Sequence, residues 1–90
     1  METEKKFIEM TIELARVFEI AKIDYSEENG LTNGGKLTLY SGLIVEIKYT
    51  QAKMDIHYRY IKSHGITKRM RNEMIAMKEI FDSCYETIKN

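Results

Sequence analysis

"KLTLYSGLIVEIKYTQAKMDIHYRYIK", residues 36–62, alternates apolar and polar residues with a period of two. That period belongs to strands, whose successive side chains point to opposite faces. With Thr50, Gln51, Ala52 and Lys53 as a four-residue loop, Tyr49 faces Met54, Ile47 faces Ile56, Val45 faces Tyr58 and Leu43 faces Tyr60. Each of these pairs is apolar or aromatic. On the other face Lys48 meets Asp55 and Glu46 meets His57, and a slip by one residue scrambles both sets. Upstream, Tyr40-Ser41-Gly42 reads as a three-residue loop with glycine last, which pairs Leu39 with Leu43 and Leu37 with Val45. A two-residue loop would set Leu37 against Glu46. The stretch predicts a three-stranded antiparallel meander with one apolar and one charged face.

The flanking segments read as helices. In residues 4–23, Phe7, Thr11, Leu14, Phe18 and Ala21 recur at spacings of three and four, with Ile8, Ile12 and Ala15 beside them and Glu9, Glu13 and Arg16 opposite. Thr3 is placed to cap this helix. "SEENGLTNGG", residues 26–35, supplies turn chemistry and reads as a mobile loop. In residues 67–89, Met70, Met74, Met77, Phe81, Cys84 and Ile88 form an apolar seam, with Arg69–Glu73, Lys78–Asp82 and Glu86–Lys89 as oppositely charged neighbours outside it. The expected fold class is α+β in the order α-β-β-β-α: a three-stranded antiparallel sheet with two helices packed on one face.

Composition sets the outer bounds. Ninety residues, 43% of them hydrophobic and 31% charged, suit a single compact domain spanning 1–90. The longest uncharged run, 37–45, is too short for a membrane span, and the acidic, amphipathic start does not read as a secretory signal. One cysteine, Cys84, allows no internal disulfide, so the expected setting is reducing and cytoplasmic. Net charge is zero yet unevenly spread. Residues 1–30 set four cations against eight acids, residues 31–78 nine against three, and residues 79–90 one against three. The chain has a basic middle and acidic ends.

The residues that could carry chemistry are few. His57 shares a strand face with Glu46 and Asp55, but no nucleophile accompanies them, so an exposed cross-strand pair is the preferred reading. His64 lies in a turn. Two histidines and one cysteine in unrelated contexts do not supply the three or four ligands that zinc requires. Cys84, on the helix seam, reads as a small buried hydrophobe. Gly34-Gly35-Lys36 lacks the spacing of a phosphate loop. Met70, Met74 and Met77 read as core before they read as an adaptable docking surface. No enzyme, metal or cofactor is expected.

A cationic window remains. Arg59, Lys62, Lys68, Arg69 and Arg71 form the candidate binding set, and Glu46, Lys48 and His57 a secondary one on the charged strand face. Cations at the start of a helix add to the positive end of its dipole, at a local cost of a few tenths of a kcal/mol each. Such an arrangement suits an anion, either phosphate or the carboxylates of an acidic partner.

The order α-β-β-β-α, with "GITKRMR" opening the last helix, is similar to the double-stranded RNA-binding domain. That resemblance implies phosphate contacts by Lys68, Arg69 and Arg71. In this chain Met70, Met74, Ile75 and Met77 stand where that family's second helix is rich in alanine. "LYSGLI" has neither the proline nor the histidine of its first loop. The expected function is a small non-enzymatic protein-binding module, akin to inhibitor or accessory proteins of bacterial or phage type, acting through charged docking as a monomer or homodimer. The alternative is nucleic-acid binding through the basic middle segment.

Overall fold

A computed structural model describes residues 2–49, 56–61 and 65–89, with backbone alone for residues 2, 28, 56 and 84–89. Its order is α1 (Glu2–Ala15), β1 (Ile20–Glu28), β2 (Leu31–Leu39), β3 (Ile44–Tyr49), β4 (Ile56–Ile61) and α2 (Lys68–Lys89). The α+β class holds, but the antiparallel sheet has four strands in the order β1-β2-β3-β4, one more than the sequence pattern suggests.

The additional strand comes from the end of the expected first helix and from the expected loop. α1 stops at Ala15, where the amides of Val17 and Phe18 both bond the Leu14 carbonyl, at 3.1 and 2.8 Å. Four residues, Arg16 to Glu19, turn the chain from α1 into β1. The "mobile loop" is a hairpin. Asn29 and Gly30 adopt positive φ values of 54° and 78° between Glu28 and Leu31, which face each other in the ladder. Two such residues form the tight turn whose twist matches that of paired strands, and Asn-Gly is its favoured sequence.

The second hairpin forms as expected. The Leu39 amide bonds the Leu43 carbonyl at 2.8 Å, the Gly42 amide bonds the Leu39 carbonyl at 2.9 Å, and Leu37 faces Val45. The third hairpin keeps the expected faces but shifts in register by two residues. Val45 faces Tyr60 and Ile47 faces Tyr58, while Glu46 faces Arg59 and Lys48 faces His57. A shift of two preserves the alternation, so the pattern could fix the faces but not the partners. The expected pairings through Met54 and Asp55 lie outside the described residues.

One buried cluster holds the fold together. It joins Phe7, Met10 and Leu14 of α1 and Met77 and Phe81 of α2 to Leu37, Leu39, Leu43, Val45, Ile47 and Tyr49. Two glycines let α1 and the strands approach closely. A Cβ on Gly34 would strike the Ile47 carbonyl, and one on Gly35 would strike the Asp24 carbonyl and come within 2.9 Å of the Phe7 ring. Phe7 covers that bare backbone and meets Tyr25 edge-on at 5.6 Å. Thr3 is not the cap of α1. It is fully buried, and its hydroxyl donates to the Thr32 carbonyl at 2.8 Å, tying the helix to β2. Ile8 and Ile12, expected on the buried face, are exposed.

Candidate functional site

α2 begins where a threonine permits it. The Thr67 hydroxyl accepts the Met70 amide at 3.1 Å, and the Arg71 amide closes the first helical turn on the Thr67 carbonyl at 3.0 Å. Thr67, expected as the first residue of the helix, is therefore its N-cap. The first turn contains no acidic residue. Lys68, Arg69 and Arg71 all stand exposed there.

The three cations differ in what they touch. Arg69 Nε lies 3.8 Å from Glu73 Oε2, the neighbour expected from their spacing. Glu73 has a second partner, the Ser41 hydroxyl, which donates to Oε1 at 2.5 Å from the β2–β3 turn. That bond ties the basic end of α2 to the sheet. Lys68 and Arg71 make no ion pair among the described residues.

Two clefts flank this end of α2. One, of about 550 Å³, is lined by Val17, Phe18, Lys68, Arg69, Asn72 and Glu73. The other, of about 290 Å³, lies between β4 and α2 and is lined by Tyr58, Tyr60, Ile66, Arg71, Met74, Ile75 and Lys78. Their apolar lips are open to solvent: Val17 is 60% exposed and Ile75 59%. The wall of the second cleft is aromatic. Tyr58 stacks on Phe81 with ring centres 4.2 Å apart, and the Tyr60 hydroxyl donates to the Met74 carbonyl at 3.3 Å. Burial, reinforced by neighbouring Tyr58, pushes the Tyr60 phenol up to about 12. Lys78 is held above its ordinary value by its bond to Asp82 at 2.9 Å.

Arg59 belongs elsewhere. It alternates with Tyr58 and Tyr60 along β4 and joins Glu46, Lys48 and His57 around a shallow recess of about 120 Å³ on the other face. Its Nε donates to Glu46 Oε1 at 2.8 Å, in place of the expected Glu46–His57 pair. That hydrogen bond lowers the Glu46 pKa against the opposing effect of burial, with the positive fields of Arg59, Lys48 and Lys36 assisting. The expected binding set therefore divides. Lys68, Arg69 and Arg71 stay together on α2, Arg59 joins the secondary set, and Lys62 lies outside the described residues, as does the His64 turn.

Across the four strands this second face carries a charge row that the sequence reading did not assemble. Asp24 faces Lys36, Lys36 faces Glu46 and Glu46 faces Arg59. The alternation of sign could not be found without β1 and the correct β4 register. Opposite charges directly across strands contribute roughly 0.2–1 kcal/mol each.

No three His, Cys, Asp or Glu side chains among the described residues gather as a metal site would need. No described helix is long and apolar enough to cross a membrane. Compared with protein-family models, curated proteins and solved structures, the chain matches none.

Proposed function

We propose that this chain is a small non-enzymatic module that docks onto an acidic surface of another protein through the start of α2. The observation that carries the reading is the setting of Lys68 and Arg71. Both are exposed at the positive end of a helix, without an ion-pair partner among the described residues, and each lines a cleft that also holds an exposed apolar side chain, Val17 beside Lys68 and Ile75 beside Arg71. Carboxylates on a partner would relieve the crowded positive potential, and apolar anchors beside them would fill the clefts. The class this suits is the small inhibitor or accessory protein of bacterial or phage type, working in the cytoplasm. The reading takes both helices to cover one face of the sheet, an arrangement supported by their shared core.

A nucleic-acid ligand is the less favoured reading. Phosphate binding through the basic middle would draw on Arg59, which is bonded to Glu46 on the opposite strand face. Each cleft also sets exposed apolar side chains beside its cations, Val17 in one and Ile75 in the other, which suits a protein partner better than a phosphate backbone.

The test is capture from the native host by the wild type and by the Lys68→Glu/Arg71→Glu double variant, with and without nuclease, beside a melting curve. The double variant should melt at the same temperature or slightly higher and capture its partner at least tenfold more weakly. Equal capture by both proteins overturns the site. Capture abolished by nuclease overturns the class of ligand.

A further inference from the structure

The sheet has two ends, and the one at β1 is self-complementary. β1 lies at the edge of the sheet, so among the described residues no strand stands on one side of its backbone. An uncovered edge is a template for another strand, which natural sheets blunt or use. Ile23 and Tyr25, which face Leu37 and Gly35 and so lie on the helix side, are 39% and 59% exposed. On α1, whose Phe7 ring meets Tyr25, Ile8 and Ile12 are exposed by 40% and 50%. The edge strand thus presents Ile23 and Tyr25 to solvent on its helix side, and α1 carries a second exposed apolar pair. On the other face of β1 stand Lys22 and Asp24, 3.6 Å apart.

We propose that two copies of this chain pair β1 with β1 in antiparallel fashion about a twofold axis at Ile23, forming a continuous eight-stranded sheet. The charges select this register. An axis at Ile23 sets Lys22 of each copy opposite Asp24 of the other and Ile23 opposite Ile23. An axis at Lys22 would oppose two lysines, and one at Asp24 would oppose two aspartates. Registers centred between residues would put Ile23 against a charged or polar neighbour. Only the Ile23 axis matches both faces, as an isologous interface requires. It also prolongs the charge row: Arg59, Glu46, Lys36 and Asp24 alternate in sign, and Lys22 of the second copy continues the sequence. The ladder irregularity between Ile20 and Lys22 marks where the new pairing ends. The exposed Ile23 and Tyr25 side chains of both copies then meet on the helix side of the joined sheet.

Sedimentation velocity on the full chain tests this without any partner. The wild type should shift from one to two chain masses as concentration rises to several hundred micromolar. Amide exchange should slow in β1 over the same range. Lys22→Asp and Asp24→Lys should each self-associate at least tenfold more weakly, with melting curves showing both folded. Mixed one to one, they should recover a heterodimer, because each aspartate of the first variant then meets a lysine of the second. A wild type that stays monomeric throughout overturns the proposal. So does a dimer indifferent to both substitutions, or one whose concentration-dependent protection falls outside β1; wild-type sedimentation and wild-type exchange decide the matter even if a variant fails to fold.

Discussion

Ile47 and Lys48 are neighbours in β3, and the fold treats them oppositely. Ile47 is fully buried in the apolar cluster, whereas Lys48 is exposed beside His57 on the charged face. One face of the sheet is a packed interior in which shape and polarity are fixed. The other is a lattice of screened charges in which each member contributes little alone. Stability is therefore concentrated on one side of a single layer, leaving the other free to carry surface chemistry.

The sharpest way to break that contrast is to put one charge on each face. Ile47→Asp should cost more than about 4 kcal/mol and unfold the domain, because a carboxylate would be buried without a partner. Lys48→Asp should change stability by no more than about 0.5 kcal/mol. Equal melting temperatures for the two variants would invert the assignment of faces.

Volume is the next test of the packed side. Gly34→Ala should cost roughly 1–3 kcal/mol, since the new methyl must displace the Ile47 carbonyl. Gly65→Ala, with nothing within 4 Å of the added atom, should be nearly neutral. Chemical denaturation of the pair measures the difference.

A smaller effect should appear in alkali. The fold holds Tyr60 as the neutral phenol, with its pKa raised from 10.0 to about 12. This group is without effect below pH 10 and destabilises the fold progressively as pH rises towards 12, where the unfolded chain ionises first. Allowing for screening at a half-buried site, the loss should be about 1–2 kcal/mol. Tyr60→Phe should remove that alkaline step, as followed by melting temperature against pH.

The smallest effect belongs to the charged face. Glu46→Gln should cost about 0.5–1 kcal/mol at neutral pH by weakening the bond to Arg59. The Glu46 pKa is depressed, so its contribution is complete above the ordinary value of 4.5 and is lost as pH falls through the lower folded value. In acid the variant and the wild type should converge. A constant gap down to pH 2 would mean that the ion pair is not the source.

How far these two faces could be read from the chain depended on how strongly each strand alternates. β3, with Val45, Ile47 and Tyr49 inward and Glu46 and Lys48 outward, declares its period in six residues. β4 does so as well, but its partners could not be fixed, because two hairpin lengths differing by two residues give equally apolar pairs. β1 was not legible. As an edge strand it buries little, so Ile23 and Tyr25 alternate among polar residues, while Phe18 and Ala21 continue the helical spacing from Leu14. No glycine or proline marks the end of α1. Asn29-Gly30 did announce a hairpin, but without an obvious apolar strand on each side it read as loop chemistry alone. The candidate site shows the same division. Spacing on α2 revealed Lys68, Arg69, Arg71 and the Arg69–Glu73 pair. The separation of Arg59 from them, and the Ser41 bond to Glu73, depend on how the sheet meets the helix.

The meander also bears on how quickly the chain finds its structure. Each strand's neighbour in the sheet is its neighbour in sequence, so three short loop closures assemble the layer without any long-range strand exchange. The chain contains no proline, which removes the commonest source of a minutes-long refolding phase. A dilution jump from denaturant should show one fast relaxation. The slowest remaining step should be the docking of α1, whose Thr3 and Phe7 have no partners until Thr32 and Gly35 are in place.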